Sequence, residues 1–228
     1  MKKVLSLLLL ALFGATAVNL EATPSRSDLI SEVDSCWAVL QHVMSDPATA
    51  VPPRIWAQAR GVMITNQFKG AFIFGVKAGY GVLLVKRPNN TWSVPVLLSA
   101  NEVSLGFQLG GKAVETVYII TDDVTPRKFF KKTFNVGVDA KAVIGPLAAA
   151  AENDNHPLVT APILVYSKTA GLYAGATFKA ADVSRNDNAN YVLYNSGYGM
   201  PELLYSDWVQ PPPDCVALRT YVSHLSQQ

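Results

Sequence analysis

Residues 69–87 read K-G-A-F-I-F-G-V-K-A-G-Y-G-V-L-L-V-K-R, and this apolar stretch, interrupted by glycines, decides the fold. Its apolar runs are short and rich in valine, leucine and phenylalanine, which is the composition of β-strands. Strands are therefore predicted at 70–76 and 80–86. The same pattern predicts further strands at 61–65, 91–98, 102–109 and 113–121.

The short links between these strands decide how they pair. Consecutive predicted strands are joined by two to five residues, whereas a parallel return needs a crossover of about a dozen or more. Glycines within strands usually mark bulges, sharp coiling or a close approach of backbones, and a ligand pressed against bare backbone is the alternative. These glycines are Gly70, Gly75, Gly79, Gly81, Gly106, Gly110 and Gly111. The centre is therefore predicted to be an antiparallel meander or a barrel-like sheet.

Helical patterns flank this sheet in the sequence. Residues 28–44 place apolar side chains at three- and four-residue steps, which predicts an amphipathic helix packed on its own domain. A short helix is predicted from Pro52-Pro53 to Gly61, another from Arg127 to Thr133, and a terminal helix over 214–226. Two more strands are predicted at 162–167 and 171–178, and a long loop with an irregular strand at 182–199. The fold class is therefore α+β, with N-terminal and C-terminal helices packed on the sheet.

The N-terminus has the pattern of a secretory signal peptide. Lys2 and Lys3 precede an apolar run from Val4 to Phe13, and small residues follow, so cleavage is expected after Ala17 or Ala22. A retained membrane anchor is the alternative, although the run is shorter than the roughly 20 residues that span a bilayer. We expect a signal peptide at 1–22 and a periplasmic or secreted location.

The composition describes a folded chain without a strong charge bias. Half of the 228 residues are hydrophobic and 16% are charged, which excludes a disordered chain. Without residues 1–22 the chain has 17 basic and 16 acidic residues, so no general attraction to nucleic acid is expected. Any attraction to an anionic membrane must come from a local patch.

Two cysteines, Cys36 and Cys215, lie near opposite ends of the exported part of the chain. An even number of cysteines in an oxidising compartment predicts a disulfide between them. Two buried free thiols are the alternative. The spacing matches no metal site, so neither a metal nor another cofactor is predicted.

Five segments in order resemble the SYLF-domain family. They are residues 69–87 as quoted above, T-W-S-V-P (91–95), G-F-Q-L-G-G (106–111), F-N-V-G-V-D-A-K-A-V-I-G-P-L (134–147) and Y-S-K-T-A-G-L-Y-A-G (166–175). The resemblance implies a single SYLF-like domain over 23–228, with its best-matching part at 54–199. It also implies lipid binding, since eukaryotic relatives bind phosphoinositides and, in fungi, actin filaments. Actin is not expected as a partner of a chain with a bacterial-type signal peptide.

A lipid-contacting patch is predicted at Arg127, Lys128, Phe129, Phe130, Lys131 and Lys132. Cations attract anionic headgroups, and aromatic side chains favour the membrane interface. Lys69, Lys77, Lys86 and Arg87, near predicted turns or strand ends, extend the candidate site. The alternative places Phe130 and Phe134 in the core, on one face of a helix, with solvated lysines around them.

The sequence carries no recognisable reaction centre. The three histidines, His42, His156 and His224, belong to no metalloprotease, nucleophile-elbow or Cys-His pattern. Asp139 is expected to bond backbone amides in a glycine-rich turn, a cation or headgroup contact being the alternative. We therefore predict a non-enzymatic envelope domain that binds anionic phospholipid. The alternative is a scaffold that docks a protein partner through Tyr191, Tyr194, Tyr198 and Tyr205.

Overall fold

The computed structural model describes residues 24–71, 75–100, 102–104, 112–145, 161–167 and 181–228. Within these ranges nine strands form one sheet, and helices flank it. The strands are β1 (Gly61–Ala71), β2 (Gly75–Val85), β3 (Val96–Ser99), β4 (Glu102–Ser104), β5 (Lys112–Ile120), β6 (Thr133–Val136), β7 (Ala142–Ile144), β8 (Ile163–Ser167) and β9 (Ala181–Arg185). The helices are α1 (Arg26–Met44), α2 (Pro53–Gln58), α3 (Thr125–Lys128), α4 (Asp187–Tyr194), α5 (Met200–Tyr205) and α6 (Val216–Leu225), with a 3-10 turn at Pro213–Cys215.

The sheet is built almost entirely from antiparallel pairs, as the short links predict. Its strands follow the order β6-β9-β3-β2-β1-β5-β8-β7, with β4 also paired to β2, and β7 and β8 run parallel. The two ends of this order, β6 and β7, are consecutive in the chain, and an isolated bridge joins Val136 to Ala140 between them. The sheet therefore curls until its edges approach each other. This confirms the predicted α+β fold with a barrel-like antiparallel sheet.

The central hairpin is longer than predicted. β1 and β2 pair without a break from Gly61 opposite Val85 to Ala71 opposite Gly75, so separate strands at 61–65 and 70–76 are wrong. Polar residues interrupt the apolar pattern here without ending the strand, because Gln67 is buried and its Nε2 donates to the Ala100 carbonyl at 2.8 Å. A Cβ on Gly81 would lie 2.6 Å from the Ile64 carbonyl oxygen, so this glycine permits a close approach of two backbones.

Helices cover one face of the sheet. α1 begins with a capping box, in which the Ser25 hydroxyl accepts from the Asp28 N–H and the Asp28 carboxylate accepts from the Ser25 N–H. Its apolar side packs on β1, β2 and β5, and buries Leu29, Val33 and Leu40. α4 and α6 add Leu193 and Val222 to the same core. The predicted helices at both ends of the domain therefore pack on the sheet.

A second apolar core lies on the opposite face. Because side chains alternate along a strand, Met63 and Leu83 belong to this core, whereas Val62 and Leu84 belong to the first. Its other members come from β2, β3, β5, β6, β8 and β9, from the turn after α3, from α5 and from connecting segments. The curled sheet is thus packed on both faces.

In the segment predicted as a long loop with an irregular strand, at 182–199, the strand is β9, whereas the helix α4 is not predicted. Asn186 caps α4 by accepting from the Ala189 N–H at 3.1 Å, and Asn195 ends it in a left-handed conformation with φ of 48°. The predicted terminal helix is confirmed as the 3-10 turn and α6. The predicted strand at 162–167 is confirmed as β8, whereas 171–178 lies outside the described residues.

Cys36 and Cys215 are both buried, and both are free thiols. The structure therefore holds the alternative arrangement and not the predicted disulfide. The Cys36 sulfur lies 3.9 Å from the Ile64 carbonyl oxygen, so it faces the backbone of β1. Burial raises the pKa of the Cys36 thiol far above its usual range, and that of Cys215 to about 11.

Both thiols are expected to resist alkylation in the folded protein and to react after unfolding. A thiolate is the reactive form, and burial suppresses both its formation and its access. Mass spectrometry after iodoacetamide treatment, with and without urea but without reductant, measures this. Two added groups in urea are expected; a urea-treated protein that reacts only after reduction would establish the disulfide instead.

Candidate anion-binding cleft

A cleft of about 320 Å³ opens at one end of the curled sheet. β1 begins at this end, where Gly61 lies opposite both Val85 and Ile120, so β2 and β5 finish there. Residues just before β1 and just after β2 and β5 therefore come together. The cleft is lined by Arg60, Lys86, Arg87, Pro88, Asn90, Asp123, Arg127 and Tyr205.

The lining carries four cations and one carboxylate. Asp123 Oδ1 lies 3.8 Å from Arg60 Nε, but both side chains are exposed, so this ion pair contributes little to stability. Lys86, Arg87 and Arg127 are the remaining cations. A concave surface with this excess of positive charge attracts anions.

Arg87 is the buried member of the group, with 5% of its surface exposed. Its Nε donates to the Leu204 carbonyl at 3.3 Å, while its buried Nη2 has no hydrogen-bond partner among the described residues. Burial lowers the pKa of this guanidinium, nearby Arg219 lowers it further, and Asp207 opposes the shift. Arginine nevertheless stays protonated in proteins, and a buried charge is normally paired. Asp207 therefore offsets the charge of Arg87 only in part, and Nη2 keeps a donor that a bound anion could take.

The backbone around Arg87 is held by a tight turn. The Arg87 N–H donates to the Thr91 carbonyl at 2.8 Å, and the Asn90 N–H donates to the Arg87 carbonyl at 2.9 Å. Asn90 adopts a φ of 61°, which asparagine tolerates better than most residues. The Lys86 N–H donates to the Arg60 carbonyl at 2.8 Å, which holds these two cations side by side.

Arg127 is positioned by an aromatic side chain. Its guanidinium carbon lies 5.1 Å from the centre of the Tyr205 ring, a cation–π contact. Phe130 packs edge-on against the same ring, with centroids 6.1 Å apart. Burial raises the pKa of Tyr205 and Arg127 acts to lower it, so the phenol is neutral at physiological pH. Arg127 is therefore exposed in the cleft lining, with its guanidinium held against the Tyr205 ring.

The structure divides the predicted patch at 127–132. α3 ends at Lys128, and Phe134 lies in β6, so the predicted helix through residue 133 is wrong. Phe129 is buried and stacks on Phe134 with centroids 4.1 Å apart, which removes it from any lipid-contacting surface. The alternative, a core role for Phe130 and Phe134, is thus correct for Phe134, whereas Phe130 is half-buried and the second buried ring is Phe129.

The predicted lysines separate into different environments. Lys128 Nζ donates to the Asp139 carbonyl at 2.7 Å, whereas Lys131 and Lys132 are exposed outside the cleft lining. Lys69 and Lys77 lie opposite each other in the hairpin, eight residues from Gly61 along β1. At about 3.3 Å per residue that is roughly 26 Å from the cleft end, so they do not extend this site.

The predicted lipid site lacks five of the lining residues: Arg60, Pro88, Asn90, Asp123 and Tyr205. The sequence contains a signal for some of them. In an antiparallel sheet the start of one strand lies beside the ends of its neighbours, so the residues next to those ends meet at one edge. Asp139 behaves as predicted, since its Oδ2 accepts from the Asn135 N–H at 2.7 Å. Among the described residues, no group of histidine, cysteine, aspartate and glutamate could hold a metal ion.

The family model described as Ysc84, Las17-binding protein actin regulator, matches residues 101–225, more than half of the chain. The chain belongs to this family. The match confirms the SYLF resemblance and extends to α6. Within the cleft, Asp123, Arg127 and Tyr205 lie in the matched part, while Arg60 and Arg87 precede it.

Curated Ysc84-family relatives are similar over most of this chain. An SH3 domain-containing protein of Schizosaccharomyces pombe is 26% identical over 196 residues, 82% of this chain and 46% of the relative. The SH3 domain-containing YSC84-like protein 1 of Bos taurus is 24% identical over 194 residues, 82% of this chain and 57% of the relative. LAS seventeen-binding protein 3 of Saccharomyces cerevisiae is 26% identical over 166 residues, 72% of this chain and 36% of the relative.

The chain thus spans about half the length of the curated relatives it matches. No solved structure matches it. Of the helices in the described ranges, none is both long and apolar enough to cross a membrane.

Proposed function

We propose that this protein binds anionic phospholipid by taking a headgroup phosphate into the basic cleft. The observation that carries the proposal is the buried Arg87, whose Nη2 has no partner in the described part of the chain and which shares its cleft with three further cations. The planar guanidinium fork matches phosphate oxygens, and hydrogen bonds between charged groups are the strong ones. A phosphate would supply an acceptor for Nη2 and a negative charge in addition to that of Asp207.

The cleft is suited to binding and not to catalysis. Its described lining contains no histidine, cysteine or serine, and its carboxylate, Asp123, pairs with Arg60. Aspartate, lysine and tyrosine can also act as acids, bases or nucleophiles, but Asp123 pairs with Arg60 and the Tyr205 ring lies against Arg127. We therefore propose a non-enzymatic role, in agreement with a family named for binding.

We further propose that the protein acts in the bacterial envelope. The support is the signal-peptide pattern of residues 1–22, which predicts export to the periplasm or beyond. Binding to Las17 and regulation of actin are named for the family and its relatives. For this chain the proposed partner is the phospholipid surface of the envelope.

Charge reversal at the mouth of the cleft is expected to weaken membrane binding. Arg127→Glu should lower affinity for vesicles of phosphatidylcholine and phosphatidylglycerol about tenfold or more, because it replaces attraction to phosphate by repulsion. The exposed pair Lys131→Glu with Lys132→Glu should cost only several-fold, since neither residue lines the cleft. Flotation at increasing lipid concentration measures both.

Lys141→Glu is the matched control, because Lys141 is exposed, changes charge equally and does not line the cleft. Wild-type binding should fall with salt and be absent on pure phosphatidylcholine. Excess glycerol phosphate should compete if the phosphate itself is recognised, whereas a diffuse surface charge would respond to ionic strength alone. Equal binding to neutral and anionic vesicles would refute the proposal.

A second candidate function is docking of a protein partner through the tyrosine-rich segment. Tyr191 and Tyr198 are exposed, at 59% and 45%, whereas Tyr194 is partly buried and donates to the Pro95 carbonyl. Exposed tyrosines are common in interfaces. Crosslinking in envelope extracts, compared with a Tyr191→Ser, Tyr198→Ser variant, tests this: a partner captured equally by both proteins would exclude the segment.

A further inference from the structure

We infer that the protein docks on a bilayer with the cleft end of the sheet facing the membrane, and that Trp208 and Val124 enter the lipid interface beside the bound phosphate. The inference rests on the proposed function and adds an orientation and two apolar anchors to it. It concerns side chains that contribute to neither apolar core.

Trp208 is the exposed member of the four tryptophans. Its exposed fraction is 63%, whereas Trp56 and Trp92 are buried and Trp37 is partly buried. Val124 is 66% exposed. The other three tryptophans are packed against apolar side chains, whereas most of the Trp208 ring is exposed to solvent. The amphipathic tryptophan ring is especially stable at a membrane interface.

Both side chains belong to segments that line the cleft. Val124 follows Asp123 and lies three residues before Arg127, at the start of α3. Trp208 lies three residues after Tyr205, and its neighbour Asp207 is close enough to Arg87 to raise the pKa of that guanidinium. The two exposed apolar side chains therefore flank the cations at one end of the sheet.

The charged and the apolar side chains at this end of the sheet match the headgroup region and the outer acyl region of a bilayer, respectively. The cations would contact phosphates at headgroup depth, and the apolar side chains would lie slightly deeper. A protein interface would also bury Trp208. The four lining cations against one carboxylate favour an anionic partner, and they lie in a cleft that can admit a headgroup.

Intrinsic fluorescence can follow Trp208 on vesicles of phosphatidylcholine and phosphatidylglycerol in equal amounts. The wild-type emission should shift to shorter wavelength on binding, and lipid brominated near the glycerol end of the acyl chain should quench it. Trp208→Phe should remove both signals, because the other three tryptophans are already partly or fully buried.

Trp208→Ser should weaken flotation about tenfold, which corresponds to the loss of one buried apolar side chain. Tyr191→Ser is the matched control: it removes an equally exposed aromatic from α4, outside the cleft, and should bind as wild type. Val124→Ser should give a smaller loss than Trp208→Ser.

Wild-type flotation without a spectral shift, or Trp208→Ser floating as wild type, would overturn the inference and leave the proposed function intact. A blue shift that depends on protein concentration without vesicles would assign Trp208 to self-association and would also overturn it. Absence of flotation in all proteins would instead refute the proposed function itself.

Discussion

Arg87→Met is expected to remove most of the affinity for anionic vesicles while leaving the protein folded and as stable as the wild type. The guanidinium is buried and Nη2 has no partner, so its charge stabilises a bound phosphate more than it stabilises the free protein. Hydrogen bonds to charged groups contribute about 1.5–3 kcal/mol each, so a loss of about 10- to 100-fold in affinity is expected. Lipid titrations by flotation measure this.

The free energy of unfolding is expected to change by no more than about 1 kcal/mol, as measured by urea denaturation. Loss of the Nε bond to the Leu204 carbonyl and of the attraction to Asp207 destabilises the fold, whereas removal of a buried cation beside Arg219 stabilises it. Lys86→Met, which removes a half-buried cation of the same cleft, should lose less affinity. Unfolding of Arg87→Met would show that Arg87 is a structural residue, and full binding by the folded variant would show that Arg87 does not hold the phosphate.

The sequence is sufficient to predict the architecture because the apolar pattern and the link lengths act locally. Glycine-interrupted apolar runs with short connections lead to an antiparallel sheet, and α1 shows its buried face through Leu29, Val33 and Cys36. The boundaries within the hairpin could not be predicted in this way. Gln67 looks like a turn residue until its partner, the Ala100 carbonyl 33 residues away, is known.

The cleft could be predicted in part, for the same reason. Lys86, Arg87 and Arg127 attract notice as cations near strand ends or beside aromatic residues. Arg60 stands alone in the sequence and reaches the cleft through the pairing of β1 with β2 and β5. The sequence pattern predicts Phe129 on the lipid surface, because no local signal shows that α3 ends at Lys128. Beyond that end, the Phe129 ring packs in the second core.

α4 is the clearest case of tertiary structure overriding local preference. Its sequence, D-N-A-N-Y-V-L-Y, is rich in residues that favour turns over helices, and it was predicted as a loop. In the structure Asn190 is buried and pairs with both polar groups of the Leu97 backbone: Oδ1 accepts from the N–H at 2.8 Å, and Nδ2 donates to the carbonyl at 2.9 Å. The side chain thus acts as a strand partner for β3.

Asn190→Ala is accordingly expected to destabilise the protein by about 3 kcal/mol, because a buried N–H and a buried carbonyl of Leu97 both lose their partner at about 1–3 kcal/mol each. For a chain of this size that corresponds to a fall in Tm of about 6–12 °C. Thermal unfolding followed by circular dichroism measures the change. Asn190→Asp keeps the shape but has no donor when ionised, so it should be comparably unstable at neutral pH.

Asn188→Ala is the control, since Asn188 is exposed on the same helix and should change stability by no more than about 0.5 kcal/mol. Burial should raise the pKa of the new carboxyl in Asn190→Asp, so its deficit should shrink as the pH falls below that folded-state value, where the protonated group donates again. Equal stability of Asn190→Ala and Asn188→Ala would contradict this prediction. Water would then pair with the Leu97 backbone, and α4 would be held on β3 by Leu193 and the apolar core alone.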